Sequence, residues 1–242
     1  MKPQVLKSAA CALILGVLAM WQTASAQQKI DIVFVDHLTA GLIEQDVFVE
    51  KEPGSGLIYR VLPGEQDKYL DAPVYKSTIP HKHDPFNAVN AGPCAKGEPL
   101  GMTLREWLGG RGTATYVCDD GWGKFEAEFT GLVPNATYTM WHFFMAKNST
   151  TPFTGTLDLP IGNRDGSQSV FRTDARGNAT MKITFDQCLQ LGDTQLASGV
   201  AIAYHSDGKT YGVLPGDFGT VTHVQLFALL PDVEAPKRVG DD

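Results

Sequence analysis

Gly131-Leu-Val-Pro-Asn-Ala-Thr-Tyr-Thr-Met-Trp-His-Phe-Phe-Met145 is the stretch whose reading decides how this chain folds. Pro134 and Asn135 are turn residues: one has a fixed φ, the other tolerates unusual backbone angles. From Thr137 the side chains alternate across a sheet. Tyr138, Met140, His142 and Phe144 fall on one face, and Thr139, Trp141, Phe143 and Met145 on the other. A strand covered on one side only carries polar residues on its open face. This one carries almost none, which predicts a strand at the centre of the fold or against a groove. The preceding stretch, Lys124-Phe-Glu-Ala-Glu-Phe-Thr130, alternates apolar and charged residues and reads as a half-buried outer strand.

Working outward, short strands bounded by turn residues recur at 113–118, 168–173, 179–185, 199–205, 210–213 and 221–230, with a polar, Thr-rich one over 148–158. In 179–185, Ala179, Met181, Ile183 and Phe185 point inward. Asp207-Gly208 suits a tight hairpin between 199–205 and 210–213. On the last strand, His223 and Gln225 share a face with Phe227. Thr103-Leu-Arg-Glu106 matches a capping box and predicts one short helix over 103–108, with Leu104, Trp107 and Leu108 as its apolar face. Upstream, 30–35, 46–49 and 57–61 read as strands, whereas 63–99 is rich in Pro and Gly and has no periodicity. Asn163-Arg-Asp-Gly-Ser167 reads as a turn. The fold class is all-β: an antiparallel β-sandwich with one short helix near 103–108 and an irregular N-terminal region, a closed barrel being the alternative. The expected organisation is a leader at 1–26, an irregular extension at 27–99 packed on the main domain, a sandwich at 100–231 and a flexible charged tail at 232–242.

Leu132-x-Pro134-x-x-x-Tyr138-x-Met140 resembles the turn before a late strand in fibronectin type III and related immunoglobulin-like domains. In those domains the tyrosine hydroxyl bonds back to nearby backbone as a tyrosine corner. The resemblance covers about ten residues and implies a sandwich architecture alone. The chain is longer than one such domain and has no early strand with that family's buried tryptophan.

Met1 to Lys7 is a basic n-region, Ala9 to Met20 an apolar run and Ala24-Ser-Ala26 a small-residue cleavage site. Together they predict a secretory signal peptide cut after Ala26 and a secreted or periplasmic protein with no membrane anchor after cleavage. Losing Lys2 and Lys7 with the leader deepens the formal charge from −7 to −9. An acidic chain argues against nucleic acid as a partner. Export makes a disulfide expected among Cys94, Cys118 and Cys188, and Cys94–Cys118 is the expected pair.

All six histidines lie beyond the leader. His81 and His83 share a face if extended, which is a metal-ligand spacing. His142, His205 and His223 form a copper or zinc set if their strands converge, with His142 on the central strand the residue to test. Otherwise His142 is a core histidine bonded to a backbone carbonyl or a Thr hydroxyl. Trp122, in a turn between two glycines, and Tyr138 are candidate ligand contacts. Trp107, Trp141, Tyr204 and Tyr211 could extend an aromatic face for sugar or peptide. No nucleophile motif, zinc-protease motif or phosphate loop occurs. The expected function is therefore a non-enzymatic module that binds a ligand or protein partner. A histidine-dependent copper or zinc protein comes second and a carbohydrate hydrolase third.

Overall fold

The computed structural model describes residues 27–41, 46–81, 91–147 and 157–233. The leader, the far end of the charged tail and most of the 148–158 strand lie outside them. The chain is an all-β, antiparallel sandwich. Strands β1 (Gln28–Asp36), β6 (Arg111–Asp119), β7 (Trp122–Thr130) and β11 (Ala179–Phe185) make one layer. The facing layer holds β8 (Thr137–Ala146), β12 (Leu196–His205) and β13 (Thr222–Leu229), with β9 (Leu157–Pro160) and β10 (Val170–Arg172) sharing one edge of β8. β1 joins the layers: Gln28 to Phe34 pair with β6, and Val35 and Asp36 pair with β13. A smaller sheet in the order β2 (Phe48–Val49), β4 (Pro73–Ser77), β5 (Cys94–Thr103), β3 (Leu57–Ile58) packs alongside.

The core lies between the layers. Phe34, Tyr116, Phe125 and Phe129 meet Tyr138, Met140, Val200, Ile202 and Leu226. Phe171 stacks on both Phe129 (5.2 Å) and Tyr138 (5.4 Å), closing one edge. β7 alternates buried and exposed along its whole length, and β11 turns Met181 and Phe185 inward, as their patterns require. β8 is buried on both faces from Thr137 to Phe144. Helix α1 (Leu104–Leu108) starts with the expected box: Glu106 N donates to Thr103 Oγ1 at 3.3 Å, and Thr103 N donates to Glu106 Oε2 at 2.7 Å. Its Leu104 and Trp107 are fully buried.

Several expectations are corrected. The 27–99 segment is not a mere extension: β1 lies inside the main sheet, and the 99/100 boundary cuts β5, whose first residues from Cys94 lie in the stretch read as irregular. β5 is legible only from its pairing with β4, because Gly97, Pro99 and Gly101 hide any alternation. Residues 210–213 form no strand; β12 pairs instead with β13, across the loop 206–221. Cys118 bonds to Cys188, with Cα atoms 5.5 Å apart, and Cys94 is left as a buried free thiol at the start of β5. The physical reason is placement. Cys118 ends β6 and Cys188 follows β11, strands that flank β7, whereas Cys94 sits in the smaller sheet beside Phe48 and Ile58. Asn163–Ser167 is a turn, its Asp165 carboxylate accepting from Ser167 N (2.9 Å) and Oγ (2.7 Å).

Candidate functional site

The β12–β13 pair carries a bulge that sets every side chain in this region. Ile202 opposes Leu226 and Ala203 opposes Val224, so Gln225 is the extra residue. A bulge re-aims the side chains on either side of it. Leu226 and Ala228 join the inter-layer core, while Val224 and Phe227 turn to the outer face. The expected face shared by Gln225 and Phe227 therefore does not exist. Gln225 reaches the core instead. Tyr138 accepts a hydrogen bond from Val133 N at 2.8 Å and donates to Gln225 Oε1 at 2.6 Å, and Gln225 Nε2 donates to Trp107 O at 3.0 Å. This is the tyrosine-corner bond, extended by a buried amide. Tyr138 is 0% exposed with its hydroxyl fully used, so it is a core residue and not a ligand contact.

The histidines are placed apart. His142 Nε2 lies 3.0 Å from Gln190 O and 2.9 Å from Ser198 Oγ. His205 faces outward between Thr139 Oγ1 (2.8 Å) and Thr222 Oγ1 (3.4 Å). His223 opposes Tyr204, with Nδ1 at 2.5 Å from Asp46 O and Nε2 at 3.0 Å from Ser206 Oγ. His142 opposes Val200, four positions along β12 from Tyr204. At the usual strand rise that is about 13 Å. His205 is on the other face of the sheet from His223. The expected copper or zinc set of His142, His205 and His223 is thus not assembled, and among the described residues no group of three His, Cys, Asp or Glu is placed to hold a metal. His81 packs on Phe48 with ring centroids 4.9 Å apart; His83 lies outside the described residues. Burial pushes all four of these described histidines down to about 4, so each is neutral at physiological pH.

Ser206, His223 and Asp46 line up in the order of a hydrolytic triad, yet the chemistry is wrong. Asp46 holds the imidazole through its main-chain carbonyl, and its carboxylate faces Arg60 and Val224 N. A base held near 4 takes a serine proton poorly at neutral pH. These bonds pin the loop at 206 to the segment at 46. Trp122 is 52% exposed, as expected, whereas Trp107 and Trp141 of the expected aromatic face are buried and Tyr211 is exposed with its hydroxyl on Asp207.

The outer face of β8, β12 and β13 is different in kind. Trp141 and Phe143 on β8 and Phe227 on β13 stand around Ala201 and Ala203 on β12. Phe143 and Phe227 meet edge to face at 6.1 Å. The floor has to be small: a Cβ at Gly199 would come within 2.3 Å of the Phe143 ring and 2.5 Å of Ala228 O. Pro215 and Phe218 from the 206–221 loop and Val224 complete an apolar groove with about 20 Å³ of open interior. Asp158 on β9, opposite Phe143, is the one ionisable residue among the described residues that line it. Burial pushes this carboxyl up to about 6, with the negative charge of Asp46 adding to the effect. The sequence signal for this floor is the small-residue alternation Gly199, Ala201, Ala203.

The chain matches no family model, no curated protein and no solved structure.

Proposed function

We propose that this is an exported, non-enzymatic module that binds a protein partner through the groove on the outer face of β8, β12 and β13. The observation that carries the reading is an apolar opening whose partly exposed rim is Met145, Asp158, Pro215 and Phe218, above the buried Trp141, Phe143, Ala201 and Ala203, with about 20 Å³ inside. Small-molecule sites enclose roughly 300–1,000 Å³. A space of this size suits one methyl or similar apolar group from a surface laid across it, the way a few buried anchors dominate protein interfaces. The leader at 1–26 supports export. The Cys118–Cys188 disulfide fits an oxidising compartment outside the cytoplasm, and no helix among the described residues is long and apolar enough to cross a membrane. The Tyr138 corner supports an immunoglobulin-like relationship at the level of architecture.

The test is peptide display against residues 27–242, carried out on the wild type and on Ala201→Leu, which fills the floor. The expected result is an enriched apolar consensus on the wild type that is lost on Ala201→Leu while the thermal transition is kept. Val224→Ala, which widens the groove, should shift the consensus towards larger side chains. A consensus indifferent to both variants, or none at all, overturns the proposal.

A further inference from the structure

The outer face of the other layer ends in an open indole. β7 alternates, so Trp122, Lys124, Glu126 and Glu128 share its outer side, and Trp122 is 52% exposed. Asp119 on β6 stands directly opposite Trp122. Opposed residues of an antiparallel pair share a face, with Cβ atoms about 5 Å apart. On the other flank Phe185 opposes Gly123, so Asp186, the next residue, runs on alongside Trp122. Asp120 lies in the turn between β6 and β7. All three carboxylates belong to exposed residues. Among the described residues, none of these four side chains makes a hydrogen bond, ion pair or ring contact, and Lys124, two positions along the same face, forms no ion pair with them.

This surface is set before any partner arrives. Asp120 and Gly121 have φ of 48° and 81°, as in the two-residue hairpin turn whose twist matches the strands it joins. Cys118, next to Asp119, is bonded to Cys188, two residues beyond Asp186, which ties β6 to the segment after β11 across Gly123. Position 123 has no room for a side chain: a Cβ there would come within 2.5 Å of the Phe185 ring and 2.8 Å of Gln187 O. A surface held in place in this way binds at a lower ordering cost.

We propose that this disulfide-tied end is a second docking surface, for a protein partner that presents an arginine: the guanidinium lies on the Trp122 ring and pairs with Asp119 and Asp186. The inference stands independently of the groove. Charge complementarity identifies the occupant. Indole is the best aromatic partner for a cation, arginine stacks on it, and the planar fork of donors suits flanking carboxylates. A neutral sugar would use the ring but not the charge of three carboxylates.

The experiment uses residues 27–242 with the disulfide intact, at physiological ionic strength, where charges are screened beyond about 8 Å. Tetra-arginine, tetralysine and tetracitrulline peptides are immobilised on a biosensor. Expected are binding of tetra-arginine, weaker binding of tetralysine and none of tetracitrulline. Trp122→Leu, and the pair Asp119→Asn with Asp186→Asn, should each weaken tetra-arginine binding roughly tenfold with the thermal transition kept. The pair Glu98→Gln with Glu128→Gln removes the same charge elsewhere and should leave binding unchanged. An equal loss on that control pair, or none on Trp122→Leu, means charge attraction alone and overturns the inference. So does a wild type that binds no tetra-arginine. Binding of maltohexaose in preference to tetra-arginine also overturns it and gives the surface to carbohydrate.

Discussion

Replacing Tyr138 by Phe removes a single oxygen from the centre of the protein, and the structure says what that oxygen holds. It accepts from Val133 N and donates to Gln225 Oε1, both at hydrogen-bond distance and both out of reach of water. Tyr138→Phe therefore leaves a backbone donor and an amide acceptor unpaired. Each unpaired buried group costs about 1–3 kcal/mol. Gln225 keeps its bond to Trp107 O and cannot swing away without losing it, so the expected loss is about 2–4 kcal/mol. Equilibrium urea unfolding, followed by tryptophan fluorescence with the disulfide intact, measures it. A second variant, Gln225→Met, removes the amide alone, and the double variant closes a thermodynamic cycle. Because the two side chains touch, their effects should couple by about 0.5–3 kcal/mol. A loss below about 0.5 kcal/mol for Tyr138→Phe, or strict additivity with Gln225→Met, would refute the view that this corner and the bulge support each other.

Two further outcomes follow from the same structure. Cys118 and Cys188 are separated by 70 residues; closing a loop of that length stabilises by about 4 kcal/mol through the unfolded chain, so reduction, or Cys118→Ser, should lower the unfolding free energy extrapolated from urea titration by that amount, while Cys94→Ser leaves the disulfide assay by mass unchanged. His81, His142, His205 and His223 have folded values of about 4, below the unfolded 6.5, so their contribution is whole above about pH 6.5 and is lost as pH falls towards 4. Asp46 and Asp158, raised to about 6, act in the opposite sense over the same window. The net expectation is that unfolding takes up about two protons between pH 6 and pH 5, read from the pH dependence of the urea midpoint; a flat profile would contradict the burial of these imidazoles.

Much of the architecture was legible because it is local. The two-sided apolarity of Thr137 to Phe144, the alternation of β7 and β11 and the Thr103–Glu106 box are each written within ten residues, and each is found where its pattern puts it. The candidate site was not legible in the same way. The residues with legible chemistry are the histidines, and burial makes His142, His205 and His223 structural hydrogen-bonding groups. The groove is made by residues with no chemistry of their own, Ala201 and Ala203, and by an aspartate in a stretch read only as polar.

The sequence by itself determined which segments extend, which faces are apolar and which residues cap α1, since these depend on the period of side chains along a strand or helix. It also carried the count of cysteines. Only the tertiary structure decided the partner of Cys118, the place of β1 between two layers, and the bulge at Gln225 that sends Val224 and Phe227 outward. Strand order and register join residues far apart in the chain, so they are set by which surfaces fit together. A one-residue slip in register reverses every side chain beyond it. That single extra residue is the reason Leu226 and Ala228 enter the inter-layer core while Phe227 joins Trp141 and Phe143 on the outer face.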